Sequence, residues 1–221
     1  MPVRKKAPED LTAKKALALE VIDRLKKEYP DAGCTLDYDH AWQLLVSVRL
    51  AAQCTDARVN IVVEDLFAKY PNVAALAAAE PEDIEAIVKP CGLGRSKARD
   101  ISACMRVLRD KYGCQVPTTF EELLALPGVG VETADVILVY AFYKPSFILD
   151  AYTRRWLTRL GFGADDDGRR LFFESGLPRD AALYGRFHWL ILDHCIARCR
   201  KTPCCAGCPF AGECKAPNRN V

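Results

Sequence analysis

The sequence predicts an all-α protein, because apolar residues recur at helical spacing along most of its 221 residues and strand-like alternation is scarce. The N-terminal segment is the clearest case, since apolar positions at intervals of three or four mark an amphipathic helix over about residues 11–29. The same pattern predicts further helices at 40–52, 56–69, 81–88, 95–112, 132–143, 151–160 and 181–197. No long repeat and no low-complexity linker interrupts the series.

One pair of helices is joined by a turn of unusual sequence. Thr119-Phe-Glu-Glu122 fits a capping box that opens a helix running to Leu126. Pro127 ends that helix, and Gly128 and Gly130 permit backbone conformations closed to other residues. Without side chains in the way, the amides of this turn can approach a phosphate, where the next helix also begins with its positive dipole end. The pattern favours a phosphate clamp, although an ordinary helix-turn-helix corner uses the same glycines.

Composition and charge limit the classes of protein to which this chain can belong. No stretch approaches the length of a membrane span, and the basic N-terminus lacks the apolar run of a signal peptide, so we expect a cytoplasmic protein that binds no membrane. The net charge of +2 is too small to indicate a polyanionic partner by itself. Basic residues cluster beside the motifs, although a solvated helix face is the better explanation for any single one of them: Arg95, Lys97, Arg99, Arg154, Arg155 and Arg159.

Six of the eleven cysteines lie between Cys195 and Cys214. Four of these follow the spacing Cys-x5-Cys-x2-Cys-x5-Cys on a loop that contains proline and glycine, namely Cys199, Cys205, Cys208 and Cys214. Four thiolates suit either a 4Fe–4S cluster or a structural zinc ion, and the spacing alone barely separates the two. Cys204 competes with Cys205 for the second position, although Cys205 keeps the Cys-x2-Cys pair. A disulfide framework is the weaker interpretation for a cytosolic protein.

These segments together resemble the endonuclease III superfamily of DNA glycosylases. The likeness rests on four segments in matching order, spread over about residues 11–215. They are Leu50-Ala-Ala-Gln-Cys-Thr-Asp56, Cys91-Gly-Leu-Gly-Arg-Ser-Lys97, the turn Leu126-Pro-Gly-Val-Gly130 with Asp150 beyond it, and the C-terminal cysteine run. The resemblance also favours iron–sulfur over zinc, because this family carries a 4Fe–4S cluster at such a run.

The resemblance implies two all-helical lobes. Residues 34–145 would form a six-helix lobe that contains a helix-hairpin-helix motif at about 119–143. Residues 1–33 and 146–221 would form a second helical lobe, with Asp150 and the iron–sulfur loop at 199–214.

Asp150 is the catalytic carboxylate that the resemblance implies. Breaking the bond between base and sugar builds positive charge on the sugar, which a carboxylate near C1′ stabilises. A plain helix cap is the alternative role, and both roles are compatible. Bifunctional members carry a lysine eighteen residues before the aspartate, whose amine attacks C1′ and allows strand cleavage. Here that position holds Glu132, which cannot form an imine, so the lyase activity is not carried over.

The segment from Gly130 to Arg155 is similar to the monofunctional 3-methyladenine glycosylase branch, as is the five-residue first gap of the cysteine run. The amino-terminal half, by contrast, resembles endonuclease III. Glu132 has three candidate roles: a solvated helix residue, a base-pocket residue that favours a cationic alkylated purine, or a partner that shares a proton with Asp150. We favour a role at the lesion pocket without choosing between the last two.

Further positions are assigned to DNA contact by the resemblance. Gln53 matches the residue that fills the gap left by a flipped base, and Leu93 matches a wedge that enters the base stack. Gly128, Val129 and Gly130 would hold the DNA backbone with their amides. The three histidines show no metal-ligand spacing and are interpreted as packing or hydrogen-bonding residues: His40, His188 and His194.

The sequence thus predicts a monomeric, monofunctional DNA glycosylase that acts on a damaged base in double-stranded DNA, with an alkylated purine as the candidate lesion. One alternative is an endonuclease III-type glycosylase with lyase activity on oxidised pyrimidines, against which Glu132 argues. Another is a non-catalytic protein that binds damaged or junction DNA, against which the retained Asp150 argues.

Overall fold

The computed structural model describes residues 8–162 and 165–216 of the chain. Over these residues the secondary structure is helical and contains no strand, which confirms the predicted all-α class. A 3₁₀ turn, Lys89–Cys91, follows the fifth of eleven α-helices in this part of the chain. These helices are α1 (Pro8–Glu28), α2 (Ala41–Ala51), α3 (Asp56–Lys69), α4 (Val73–Ala78), α5 (Pro81–Val88), α6 (Gly94–Tyr112), α7 (Phe120–Leu124), α8 (Val131–Phe142), α9 (Ala151–Leu160), α10 (Asp166–Gly176) and α11 (Ala181–Ala197).

Two of these helices, α4 and α10, have no counterpart among those predicted from the sequence. The six residues of α4 are too few to show a helical period, and their signal lies in the cap, where the Asn72 side chain accepts from the Ala75 amide at 2.8 Å. In α10 the Asp165 carboxylate accepts from the Gly168 amide at 2.7 Å. The first turn of α10 is also acidic, as the helix dipole favours.

The chain divides into two compact units, and each has its own core. The first, here called the hairpin unit, is Cys34–Lys144 and contains α2 to α8, seven helices where six were expected. Its core is mainly aliphatic and includes the fully buried Leu44, Leu50, Leu66, Leu76 and Leu108. Burial of such side chains is the main favourable contribution to the stability of the unit.

The second unit, here called the cysteine unit, consists of the described parts of Met1–Gly33 and Pro145–Val221. It contains α1 and α9 to α11, and its core combines aliphatic side chains with a cluster of aromatic rings. The rings of Phe147 and Phe173 stack with centroids 4.4 Å apart, and Trp156 meets Phe187 edge to face. Across the described residues of both units, every helix is too short or too polar to cross a membrane.

Candidate active site and nucleic-acid interface

Asp150 begins α9 in the cysteine unit, and its side chain is held at both oxygens. Oδ1 accepts a hydrogen bond from the Thr153 amide at 2.6 Å, so the predicted capping role is confirmed. Oδ2 lies 3.7 Å from Nε2 of His188 on α11. The carboxylate is 7% exposed, while Trp156 and Leu157 anchor α9 in the core of that unit. The packing of α9 against α11 therefore fixes the position of this acid.

The surroundings of Asp150 favour its ionised form. Burial alone would raise the pKa of this carboxyl, but the interaction with His188, the histidine's charge and the Thr153 hydrogen bond more than offset burial. The pKa of Asp150 is therefore held below its usual value of 3.8. A buried carboxylate that stays anionic can stabilise positive charge on a nearby group. From the sequence we interpreted His188 only as a packing or hydrogen-bonding residue, and no spacing in the sequence links it to Asp150.

The turn between α7 and α8 differs in part from its prediction. Helix α7 ends at Leu124. Thr119 is its N-cap, because the Glu122 amide donates to the Thr119 hydroxyl at 3.4 Å and that hydroxyl donates to the Glu122 carboxylate at 2.6 Å. Gly128 is left-handed, with φ of +76°, and a Cβ there would lie 2.8 Å from Cβ of Asp100. Gly130 does not use the conformational freedom that glycine permits, because its φ of −99° and ψ of 177° describe extended backbone open to any residue.

Gly130, in contrast to Gly128, is surrounded by open space. A Cβ at this position would meet no atom within 4 Å. Gly130 is the N-cap of α8, and its neighbour Val131 is exposed. Glu132 lies exposed in the first turn of the same helix. The amides at the start of α8 therefore face accessible surface, at the positive end of a helix dipole.

Four non-glycine residues of the hairpin unit have left-handed backbone, and two of them, Cys114 and Tyr143, follow the C-terminal ends of α6 and α8. The other two are Gln53 and Leu93. Gln53, just after α2, has φ of 59°, and Leu93, just before α6, has φ of 51°. The Leu93 side chain is 63% exposed and so is accessible to a partner. Both are the positions that the sequence assigns to DNA contact. Backbone in this region is uncommon for such residues and is often found at functional sites.

The four predicted cluster ligands line one cavity in the cysteine unit. Cys199 and Cys205 are buried, and Cys208 and Cys214 are half-buried. Cys204 borders the same cavity but is exposed. In the described part of the chain, no three cysteine, histidine or acidic side chains are close enough to hold a single metal ion. The thiols thus line a cavity and do not converge on the position of a single metal ion.

Polar groups around this cavity suit thiolate ligands. The Cys195 thiol and Arg159 hold the pKa of Cys199 at about 6, and Nη1 of Arg159 lies 3.0 Å from the Cys199 sulfur. The Ala216 amide donates to the Cys214 sulfur at 3.4 Å. Hydrogen bonds of this kind stabilise metal-bound thiolates. The residues present therefore fit an iron–sulfur cluster.

Comparison with known proteins places these features in one family. Residues 46–175 match the model of the HhH-GPD superfamily of base excision DNA repair proteins. The chain belongs to this superfamily. It is 37% identical to endonuclease III of Synechocystis over 206 residues, covering 93% of this chain and 92% of the relative. It is 34% identical to endonuclease III of Bacillus subtilis, covering 88% and 90% of the two chains.

Solved structures extend the likeness of this HhH-GPD protein to its fold. A trapped endonuclease III–DNA covalent intermediate is 34% identical, with a TM-score of 0.83 over 91% of this chain and 95% of that one. A 3-methyladenine DNA glycosylase of Helicobacter pylori is 25% identical, with a TM-score of 0.63 over 79% and 95%. The protein is an endonuclease III-like DNA N-glycosylase of base excision repair, and its likeness to endonuclease III extends beyond the amino-terminal half.

Proposed function

We propose that this protein is a monofunctional glycosylase, which hydrolyses the bond between a damaged base and its sugar and leaves the strand intact. The observation that carries the proposal is the glutamate at position 132, in the first turn of α8, where bifunctional relatives carry the nucleophilic lysine. Helix α8 contains no lysine, and Lys144 lies beyond its C-terminal end. Asp150 is then the remaining group for the chemistry at C1′.

Asp150 would act on the sugar in two ways once the nucleotide is extruded from the duplex. As the C1′–N bond breaks, the electron pair leaves with the base, and the anionic carboxylate stabilises the positive charge left on the sugar. A water positioned by Asp150 then forms the C1′–O bond and gives its proton to the Asp150 carboxylate, which releases it to solvent. His188 supports both steps by keeping Asp150 ionised.

An alkylated purine is the lesion class that suits Glu132 best. A cationic base leaves as a neutral molecule and needs no proton from the enzyme, while an exposed carboxylate in the base pocket would favour its positive charge. Proton sharing between Glu132 and Asp150 is the other candidate role. The H. pylori 3-methyladenine glycosylase structure contains 1,N6-ethenoadenine, a modified purine, which supports this class.

DNA engagement would use the hairpin unit of a monomer. The amides of the exposed Gly128 and Gly130 would bind the phosphate backbone without reading sequence, beside Val129, whose own amide donates to the Leu126 carbonyl at 3.2 Å. Gln53 would fill the gap left by the extruded base, and Leu93 would enter the stack as a wedge. The support is their exposure and backbone conformation in the structure.

The cysteine cavity would hold a 4Fe–4S cluster through Cys199, Cys205, Cys208 and Cys214, with structural zinc as the alternative. Cys205 is preferred to Cys204 because it is buried. Such a cluster would supply a rigid cross-link of the loop.

A single-turnover assay on duplexes that carry different lesions tests the proposal, read with and without alkaline treatment. Breaks that appear only after alkali establish a monofunctional enzyme and identify its base. Breaks without alkali, with a complex trapped by borohydride, would establish an endonuclease III-type lyase instead, an alternative that the 37% identity to endonuclease III favours. No cleavage on any lesion would favour a protein that only binds damaged or junction DNA.

A further inference from the structure

Lys97 is a fully buried cation in the first turns of α6, although the sequence placed it in a cluster of basic residues beside the motifs. Its Nζ donates to the backbone carbonyl oxygens of Leu50, Ala52 and Cys91, each at 2.8 Å. An ammonium group has three protons, so these three acceptors satisfy it completely. With 0% exposure, Lys97 is not a surface contact for phosphate.

The three carbonyls belong to the two segments that precede Gln53 and Leu93. Leu50 and Ala52 lie at the C-terminal end of α2, directly before Gln53. Cys91 ends the 3₁₀ turn, two residues before Leu93. The Lys97 amide also donates to the Leu93 carbonyl at 3.0 Å. Lys97 thereby links the segment before Gln53 to the segment before Leu93 through hydrogen bonds.

Each segment ends in a conformation that its residue does not favour. Gln53 and Leu93 have φ values of 59° and 51°, where a Cβ is crowded by its own backbone. Such conformations persist only where the surrounding structure imposes them. The buried ammonium supplies that constraint, and the carbonyls at the end of α2 favour its charge because they lie at the negative end of the helix dipole.

We propose that Lys97 is a positioning residue for base extrusion, which holds Gln53 and Leu93 in the left-handed conformations that aim both side chains at the base stack. Lys97 itself contacts no DNA. The inference rests on the proposed function, because it concerns the two residues assigned there to the stack.

Lys97→Met tests this role, since methionine keeps the apolar stem and removes the ammonium. Base extrusion is followed by the fluorescence of 2-aminopurine beside the lesion, and excision by single-turnover cleavage. We expect both rates to fall by roughly 10–100-fold, because small misplacements of positioned groups cost about that much. In a protein that already carries Gln53→Ala and Leu93→Ala, adding Lys97→Met should change the rates by less than about twofold, since the three residues act as one unit.

Arg106→Met is the matched control. Arg106 is on the same helix and donates Nε to the Ala77 carbonyl at 3.3 Å, away from both segments. It should leave both rates near those of the wild type. Hydrogen exchange adds a second readout, because Lys97→Met should speed exchange in residues 51–54 and 91–94 and leave α3 and α5 unchanged. If Lys97→Met does not fold, Lys97→Gln enters the same assays.

Four outcomes overturn the inference. Wild-type extrusion by the Lys97 variant, or an undiminished effect in the Gln53→Ala/Leu93→Ala background, would refute positioning and leave the glycosylase function intact. A shallower salt dependence of DNA binding with extrusion unchanged would assign Lys97 to phosphate contact. A wild-type protein that extrudes and excises no lesion would remove the proposed function and this inference together.

Discussion

Asp150 combines burial with a negative charge, and the cost of that combination is offset by its partners. Desolvation of a carboxylate disfavours ionisation, which by itself makes the acid weaker. The Thr153 amide at 2.6 Å and His188 at 3.7 Å reverse the effect. An anionic carboxylate of low exposure interacts with developing positive charge more strongly than one in water. His188 is therefore the residue on which the acid–base behaviour of the site depends.

His188→Gln should move the acidic limb of the pH–rate profile to higher pH. Burial is the largest influence on the pKa of Asp150 and raises that pKa. The glutamine removes the charge of the histidine, which opposes the effect of burial, so the pKa of Asp150 should rise. In the folded wild-type protein the pKa of Asp150 lies below its usual value of 3.8. Ionisation of Asp150 therefore contributes to the stability of the fold above about pH 3.8. That contribution disappears as the pH falls through the folded pKa. The measurement is the single-turnover excision rate against pH.

His40→Gln serves as the control for this profile, because His40 is an exposed histidine of the hairpin unit. The acidic limb of the pH–rate profile of the His40→Gln variant should coincide with that of the wild type. An unchanged limb in His188→Gln would mean that other groups keep Asp150 ionised.

Glu132→Lys should give the protein the lyase activity that a monofunctional glycosylase, as proposed above, does not have. The new amine would lie in the first turn of α8, where the positive end of the helix dipole disfavours the ammonium form and leaves more neutral amine for attack on C1′. Strand breaks without alkali and a borohydride-trapped complex are the expected result. Glu132→Gln, which has no nucleophilic amine, should produce neither. Base excision without nicking by the lysine variant would show that more than the nucleophile is missing.

At the scale of elements, the turn between α7 and α8 depends on contacts from two other helices. Asp100 on α6 lies against Gly128, and Arg49 at the end of α2 donates Nε to Asp100 Oδ2 at 2.9 Å. This ion pair is partly exposed and contributes little energy by itself. Its effect is geometric, because it leaves room at position 128 only for a glycine.

Gly128→Ala and Gly130→Ala form a pair of tests that separates geometry from DNA contact. At Gly128 the left-handed backbone and the 2.8 Å approach of Asp100 should cost about 1–3 kcal/mol of unfolding free energy. At Gly130 the extended backbone and open space predict a change below about 0.5 kcal/mol. Urea unfolding measures both values.

DNA affinity of the same two variants tests the phosphate clamp. Gly130→Ala should weaken binding several-fold without loss of stability, because its methyl group would occupy the space through which a phosphate approaches the amides. Binding equal to that of the wild type would reduce the turn to an ordinary helix corner.

The elements that could be predicted from the sequence are those with several turns of apolar periodicity. Helices α3, α9 and α11 begin and end where the pattern places them. The short helix α4 was missed because six residues show no period. The sequence Pro-Gly-Val-Gly does not indicate which of its glycines is left-handed, so it could not predict that Gly130 is extended.

Contacts between distant residues account for the rest of what the sequence could not predict. Asp150 was identified by its motif, but its partner His188 follows thirty-eight residues later and meets it only through the packing of α9 and α11. Likewise, a lysine among other basic residues suggests a surface charge. Lys97 is buried because three carbonyls from two other segments converge on its amine.

At the scale of the whole molecule, the two units depend on different sources of stability. The hairpin unit has a continuous aliphatic core. In the cysteine unit, the C-terminal loop is fastened by side chains from its helices: Arg159 donates to the carbonyls of Cys199, Arg200 and Lys201, and Arg24 to that of Pro209. A loop that is held by such hydrogen bonds and has little regular structure gains most from a cross-link by a cluster.

Cys208→Ser should therefore destabilise the cysteine unit alone. Loss of one ligand should abolish cluster binding, measured as iron and acid-labile sulfide, because serine is a poor substitute for thiolate. Amide exchange in α9 and α11 should become faster, while exchange in α2 to α6 stays unchanged, because that core contains no cysteine ligand. Zinc without sulfide in the wild-type protein would contradict the cluster and establish the structural zinc site.

Cys204→Ser is the matched control, since Cys204 borders the same cavity but is exposed. It should keep full iron and sulfide, whereas Cys205→Ser should lose both. The reverse result would assign the second ligand position to Cys204. Faster exchange in both units of the Cys208 variant would mean that the cluster stabilises the whole molecule, and that the two cores, although each is compact, unfold as one cooperative structure.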